Sequence, residues 1–234
     1  VPAIVPAAGA RSRRPRLILF DLDDTLHDAS HAIFGVLNRR MTDYVERHLA
    51  VTRPEADQLR QVYWRRYGAT LLGLIRHHGV DPAHFLHETH DFDVATLMRA
   101  ERGLDRLMRH IPGRKRLLTN APDAYAQAVL RELALHRHLP RHSIESMRIN
   151  GSLRPKPSRL MLRALLARER CAAADAVLVE DSRANLKAAR ALGMGTVLVS
   201  PARRRRGTGG RPAYVGLRVA SVRDLPRALA RLRR

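Results

Sequence analysis

The sequence predicts an α/β fold: a parallel sheet with helices on both faces, plus an inserted α-helical domain. Three observations predict it. Short apolar runs recur at 17–20, 117–118, 176–179 and 196–199, and such runs read as strands buried on both faces. Helical patterns separate these runs, so successive strands need crossovers rather than tight hairpins. Between the first run and the second, from about Asp28 to Arg102, the pattern is helical throughout, which marks an insertion.

The elements follow in order. Residues 1–15 form a basic, Pro- and Ala-rich tail, read as flexible. They lack an uninterrupted apolar core, so they do not read as a secretory signal, although a mitochondrial-type presequence fits the composition. The first strand runs into Asp21, Asp23 and Asp24. Residues 27–50 carry Ile33, Leu37, Met41, Tyr44, Val45 and Leu49 at helical spacing. A second helix starts at Thr52 or Arg53 with Pro54 in its first turn. The pattern continues to Ile75, with breaks at Gly68 and Gly79, and Asp81-Pro82 opens a short helix through Phe85 and Leu86. The sheet pattern resumes near Arg114, and a helix is expected over 122–136. Ser143-Ile144 reads as a short strand. A proline-rich loop over 154–157 precedes a helix capped by Ser158 and ending near Arg168. The strand at 176–179 ends at Glu180-Asp181, and a helix over 182–192 stops at Gly193. A basic loop spans 203–211, then a strand at 217–219 and a closing helix over 224–232. The expected division is therefore 1–15 tail, 16–27 with 103–234 the α/β domain, and 28–102 the helical insertion.

Composition limits the functions. The chain has 234 residues, 45% hydrophobic, enough for a sizeable core. Its single cysteine, Cys171, cannot form an internal disulfide, and a cytoplasmic setting is expected. No apolar run is long enough to span a bilayer. The formal net charge is +21, but much of it sits in tails and loops, and lysine occurs only at 115, 156 and 187. Aromatics make up 4%, too few for an evident base-stacking platform. No dedicated nucleic-acid partner is expected, although a basic nucleic-acid-binding protein remains the non-enzymatic alternative. His77-His78 and His87-x-x-His90 do not read as zinc ligands, since no cysteine accompanies them and the spacing is common on solvated helices. A monomer or weak dimer is expected.

The chemistry gathers at strand ends, where open α/β sheets present functional groups. Asp21 and Asp23 lie two apart at the end of the first strand, and their repulsion calls for a hard divalent cation with oxygen ligands. Thr119-Asn120 follows the second run. Lys156 stands between two prolines, a lysine in a chain that otherwise uses arginine. Glu180-Asp181 follows the next strand, with Asn185 four residues on.

This order, Asp-x-Asp-x-Thr, then Thr, then Lys, then Glu-Asp, resembles the four motifs of the haloacid dehalogenase superfamily over nearly the whole chain. The resemblance implies a Rossmann-like core with an inserted helical cap, Mg²⁺ as cofactor, and a phosphomonoesterase working through an aspartyl-phosphate. Asp21 is then the nucleophile and Asp23 the acid and base. Thr119 binds a phosphoryl oxygen, and Lys156 neutralises charge. The metal falls to Asp21, Asp181 and the backbone carbonyl of Asp23, with Glu180 and Asn185 one layer further out. The dehalogenases lack a carboxylate at the position of Asp23, which favours a phosphate ester. Phosphosugar mutases keep both acids and remain an alternative, as do phosphatases for phosphoglycolate or a sugar phosphate.

Within the superfamily, Tyr63-Trp64-Arg65-Arg66-Tyr67-Gly68 followed by Gly73-Leu74 looks like the cap of the pyrimidine 5′-nucleotidase branch. Glu180-Asp181-Ser182-x-x-Asn185 and Ser221-Val222-x-Asp224-Leu225-Pro226 agree with it. The implied substrate is a pyrimidine nucleoside monophosphate. Trp64 and Tyr67 would stack on the base, Arg66 would meet a carbonyl or phosphate, Asn120 would face the cleft, and His27 would face the cleft or sit at the hinge. For Tyr67, packing in a helical core is an equally good expectation.

Overall fold

The computed structural model describes residues 15–99, 103–146, 148–149, 152–200 and 212–231. The expected tail and the basic loop over 203–211 lie outside them, apart from Pro15 in the tail.

Four residues, Leu17–Phe20, form β1, and each is fully buried. Parallel partners flank it: β2 (Arg114–Leu118) on one side and β6 (Ala176–Glu180) on the other. β3 (Ile144–Glu145) extends the sheet beyond β2, while β7 (Gly195–Val199) and β8 (Leu217–Val219) extend it beyond β6. The six-stranded order is β3-β2-β1-β6-β7-β8. The chain runs outward from β1 to β3, then crosses back to the other side of β1. Such a reversal opens a crevice at the strands' carboxyl ends.

The pleat sorts the core into two layers. Ile18, Phe20, Leu117, Val177 and Val179 point to one face, with residues of α6 (Leu104–His110), α7 (Asp123–Glu132) and α10 (Leu225–Arg231). Leu17, Leu19, Leu118, Ala176 and Leu178 point to the other, against α8 (Arg159–Arg168) and α9 (Arg183–Arg190). Each large apolar side chain so buried contributes about 1.5–3 kcal/mol. A one-residue slip would turn every one of them to the wrong face.

Between β1 and β2 the described chain is helical: α1 (Ile33–Leu49), α2 (Arg53–Tyr67), α3 (Thr70–His78), α4 (Pro82–His90) and α5 (Val94–Leu97), then α6. Helix α2 begins with a capping box between Thr52 and Glu55 and ends at Gly68, whose φ of +80° suits glycine. Tyr44, Val45, Ala56, Tyr63, Leu71, Leu74 and Phe85 form a cluster of their own. Gly73 is required there, since a Cβ would stand 2.2 Å from Tyr63 Cγ. Val94 packs in the sheet's cluster with Leu104.

Several expected boundaries move. Residues 29–31 form a 3-10 turn, so α1 starts at Ile33. Helix α4 runs on past Leu86 to His90, α7 stops at Glu132, and α9 is shorter at both ends than 182–192. Ser143 ends a 3-10 turn rather than starting the strand. The closing helix is preceded by a 3-10 turn over Val222–Asp224. Helix α6 and an antiparallel pair, β4 (Arg148–Ile149) with β5 (Ser152–Leu153), were not expected. Two-residue strands carry too little pattern to be seen in a sequence. Among the described residues no helix is long and apolar enough to cross a membrane.

Candidate active site

The carboxyl ends of β1, β2 and β6 and the loop before α8 converge on one cleft of about 830 Å³. Asp21 continues β1, its amide donating to the carbonyl of Val179 at 3.0 Å. Its side chain is buried and held from two sides. Thr25 Oγ1 donates to Oδ2 at 2.8 Å, and Lys156 Nζ donates to Oδ1. Lys156 also donates to Glu180 Oε2 at 2.9 Å, and Glu180 Oε1 accepts from the Ser182 amide at 3.2 Å. Asn120 fixes the lysine's backbone: its Nδ2 donates to the Lys156 carbonyl at 3.2 Å, and its Oδ1 accepts from the Lys156 amide at 2.8 Å. Thr119 is buried at the end of β2, where its hydroxyl accepts from the Ala121 amide at 3.0 Å.

Asp23 is held differently. His27 Nε2 lies 2.9 Å from its Oδ1, and Tyr125 Oη donates to the same oxygen at 2.7 Å. Asp24 adopts a φ of +62° and accepts from the Ser30 amide at 2.8 Å, which secures the turn.

Burial sets the electrostatics. Desolvation, then the Glu180 carboxylate, pushes Asp21 up to about 7 against the pull of Lys156. Asp181 rises to about 6, through desolvation and then Asp21. Desolvation also raises Glu180, while Lys156 is raised by Asp21 and Glu180 against the cost of its burial. Carboxylate oxygens of Asp21, Glu180 and Asp181 all lie within 4.8 Å of one another. Three carboxylates thus share one ammonium, and once ionised they leave a deficit that a divalent cation would fill. An oxygen-only donor set suits Mg²⁺. The residues present therefore fit the cofactor, and Asp21 and Asp181 would hold it.

The expected residues meet in this cleft with one exception. Asp21, Asp23, Thr119, Asn120, Lys156, Glu180, Asp181 and Asn185 line it from the sheet side, and Trp64, Arg66 and Tyr67 from the helices. His27 is the exception. It is buried away from the lining and holds Asp23, because a turn brings residue 27 back onto residue 23. The carboxylate of Asp23 also stands outside the acidic cluster. Tyr67 packs at the edge of the helical cluster and also lines the cleft.

Two residues escaped the sequence reading. Tyr125, on the first turn of α7, reaches Asp23 from 102 positions away. His90 lines the cleft with its ring 5.6 Å from Tyr125, and burial pushes it down to about 4, so it stands neutral. An aromatic with a polar tip on an apolar helix face was the available signal for Tyr125.

Sheet order, crevice and acidic cluster define an α/β protein with its carboxylates gathered at the strand ends. The chain belongs to the haloacid dehalogenase-like hydrolase family, which it matches over residues 15–193. Solved structures share the fold. A haloacid dehalogenase phosphatase from Thermococcus onnurineus is 16% identical, with a TM-score of 0.60 over 91% of this chain and 96% of that one. The L-2-haloacid dehalogenase of Xanthobacter autotrophicus is 16% identical, with a TM-score of 0.57 over 93% and 98%. CbbY from Rhodobacter sphaeroides, in complex with phosphate, is 21% identical, with a TM-score of 0.60 over 90% and 96%.

Proposed function

We propose that the protein is a Mg²⁺-dependent phosphomonoesterase acting through an aspartyl-phosphate on Asp21, with pyrimidine nucleoside monophosphates as substrates. Residues 28–102 act as the cap. The observation that carries the phosphatase reading is Asp23, clamped by His27 and Tyr125 in the same cleft as Asp21. A departing halide needs no proton; a departing alkoxide does.

Asp21 attacks phosphorus, and the P–O ester bond breaks as Asp23 protonates the leaving oxygen. Asp23 then takes a proton from water, which attacks the acyl phosphate, releasing phosphate and restoring Asp21. Thr119 donates to a phosphoryl oxygen. Lys156, between Asp21 and Glu180, fixes the nucleophile's orientation and offsets charge. When bound, the cation screens the approach of two anions.

The nucleotide reading is supported by the opposite wall. Phe34, Leu37 and Met41 line it with Trp64 and Tyr67, an apolar and aromatic face suited to a base. The cleft's size is more than a two-carbon phosphate needs.

The test is phosphate release from UMP, CMP, dTMP, AMP, phosphoglycolate and sugar phosphates, with Mg²⁺ or with EDTA. Metal-dependent release, fastest from the pyrimidine nucleotides, is expected, and no halide from 2-chloropropionate. A purine or sugar preference overturns the substrate and spares the mechanism. Absence of metal-dependent turnover, with salt-sensitive retention of RNA or DNA, overturns the enzyme.

A further inference from the structure

A second group of metal-ligating side chains lies on the helices, outside the cleft lining. Helices α1 and α4 pack through Tyr44 and Phe85, whose rings meet edge-on at 4.9 Å. His48 follows Tyr44 by one turn on α1. His84 and Glu88 stand one turn apart on α4, on the same face. Glu88 Oε1 therefore meets two imidazoles, His84 Nε2 at 2.9 Å and His48 Nε2 at 3.2 Å. One ligand atom from each residue lies within 4.8 Å of the others. Tetrahedral zinc with ligands at about 2.0–2.2 Å separates them by roughly 3.3 Å, so little movement is needed.

The surroundings also fit. His84 Nδ1 lies 3.1 Å from Tyr44 Oη. That contact behind the ring holds its orientation and keeps Nε2 turned to Glu88, the kind of outer support ligating histidines usually have. Arg47 donates to Glu88 Oε2 at 2.7 Å, so Oε1 is the oxygen turned to both rings. An exposed ion pair is worth little and needs one partner only. Two imidazoles aimed at one carboxylate oxygen, one of them braced by a buried tyrosine, are more than such a pair requires.

We propose that His48, His84 and Glu88 form a zinc site that joins α1 to α4, with a fourth position open to water. Two nitrogens and one oxygen select zinc over magnesium, the reverse of the oxygen-only cluster in the cleft. Helices α1 and α4 also carry Phe34, Leu37, Met41, Phe85 and Leu86, so the ion would stiffen the apolar wall of the cleft.

The test uses the metal-free full chain in excess Mg²⁺, which occupies the oxygen-donor cluster, titrated with Zn²⁺ against a chromophoric chelator. One equivalent of tight uptake is expected, and Zn²⁺ should raise the Tm. His84→Asn and Glu88→Gln should each weaken uptake by at least about tenfold and abolish the Tm rise. His87→Asn, a neighbour outside the group, should change neither. Far-UV circular dichroism of the metal-free variants checks that the helices persist. No uptake by the wild type in Mg²⁺, or equal uptake by wild type, His84→Asn and Glu88→Gln, overturns the proposal.

Discussion

The two walls of the cleft are built on opposite principles. The sheet-side wall is charged, and its groups come from distant points in the chain, yet each is pinned by short contacts to another: Lys156 to Asp21 and Glu180, Asn120 to Lys156, Tyr125 and His27 to Asp23. The helical wall is mostly apolar and aromatic, with Arg65 and Arg66 beside Trp64, which is 62% exposed. The comparison teaches where each kind of specificity resides. In the proposed function, reaction type would rest on groups that a rigid register positions, and selectivity on side chains that can change without disturbing that register.

The largest expected effect breaks the charged wall outright. Asp21→Asn should lower turnover of p-nitrophenyl phosphate by about 10⁴-fold or more, with an unchanged circular dichroism spectrum. Wild-type rates would remove the nucleophile assignment. Next comes Tyr125→Phe, which removes one of the two contacts on Asp23 Oδ1. A fall in kcat of about tenfold with little change in KM is expected, with a displaced pH–rate profile. A purely structural role for Tyr125 would leave the profile where it was.

Trp64→Ala tests the other wall. It should raise KM for UMP about fivefold, in line with ~1 kcal/mol of base stacking, and leave phosphoglycolate hydrolysis unaltered. Equal effects on both substrates would show that the ring does not contact the base.

The smallest expected effect sharpens the charge argument. Asp21 and Asp181 bind protons in the metal-free fold up to about 7 and about 6, against 3.8 for an ordinary aspartate. The metal-free fold therefore loses stability as pH rises from the ordinary value through that window. Mg²⁺ must displace protons below the window and none above it, so its gain in Tm should grow between about pH 5 and pH 8. His90, neutral down to about 4, is common to both samples and cancels in the difference. A gain independent of pH would place the ion elsewhere.

Much of this architecture could be read before any coordinates. The strand β1 and the carboxylates that follow it were legible because four consecutive buried apolar residues leave one interpretation. The start of α2 was legible because Pro54 and the residues before it form a local signal, and its end because Gly68 takes a positive φ. His27 could be read two ways because a cleft residue and a buried clamp look alike in a sequence. Helix α6 was overlooked at seven residues, too short for its period to stand out.

What the sequence determined by itself is therefore whatever short-range periodicity and side-chain chemistry encode: which longer segments are strands or helices, which acids stand at strand ends, and which lysine sits between prolines. What only the tertiary structure decided is how groups far apart in the chain share single atoms. Tyr125 and His27 meet on one oxygen of Asp23, and His48 and His84 on one oxygen of Glu88. Such meetings depend on the packing of whole elements.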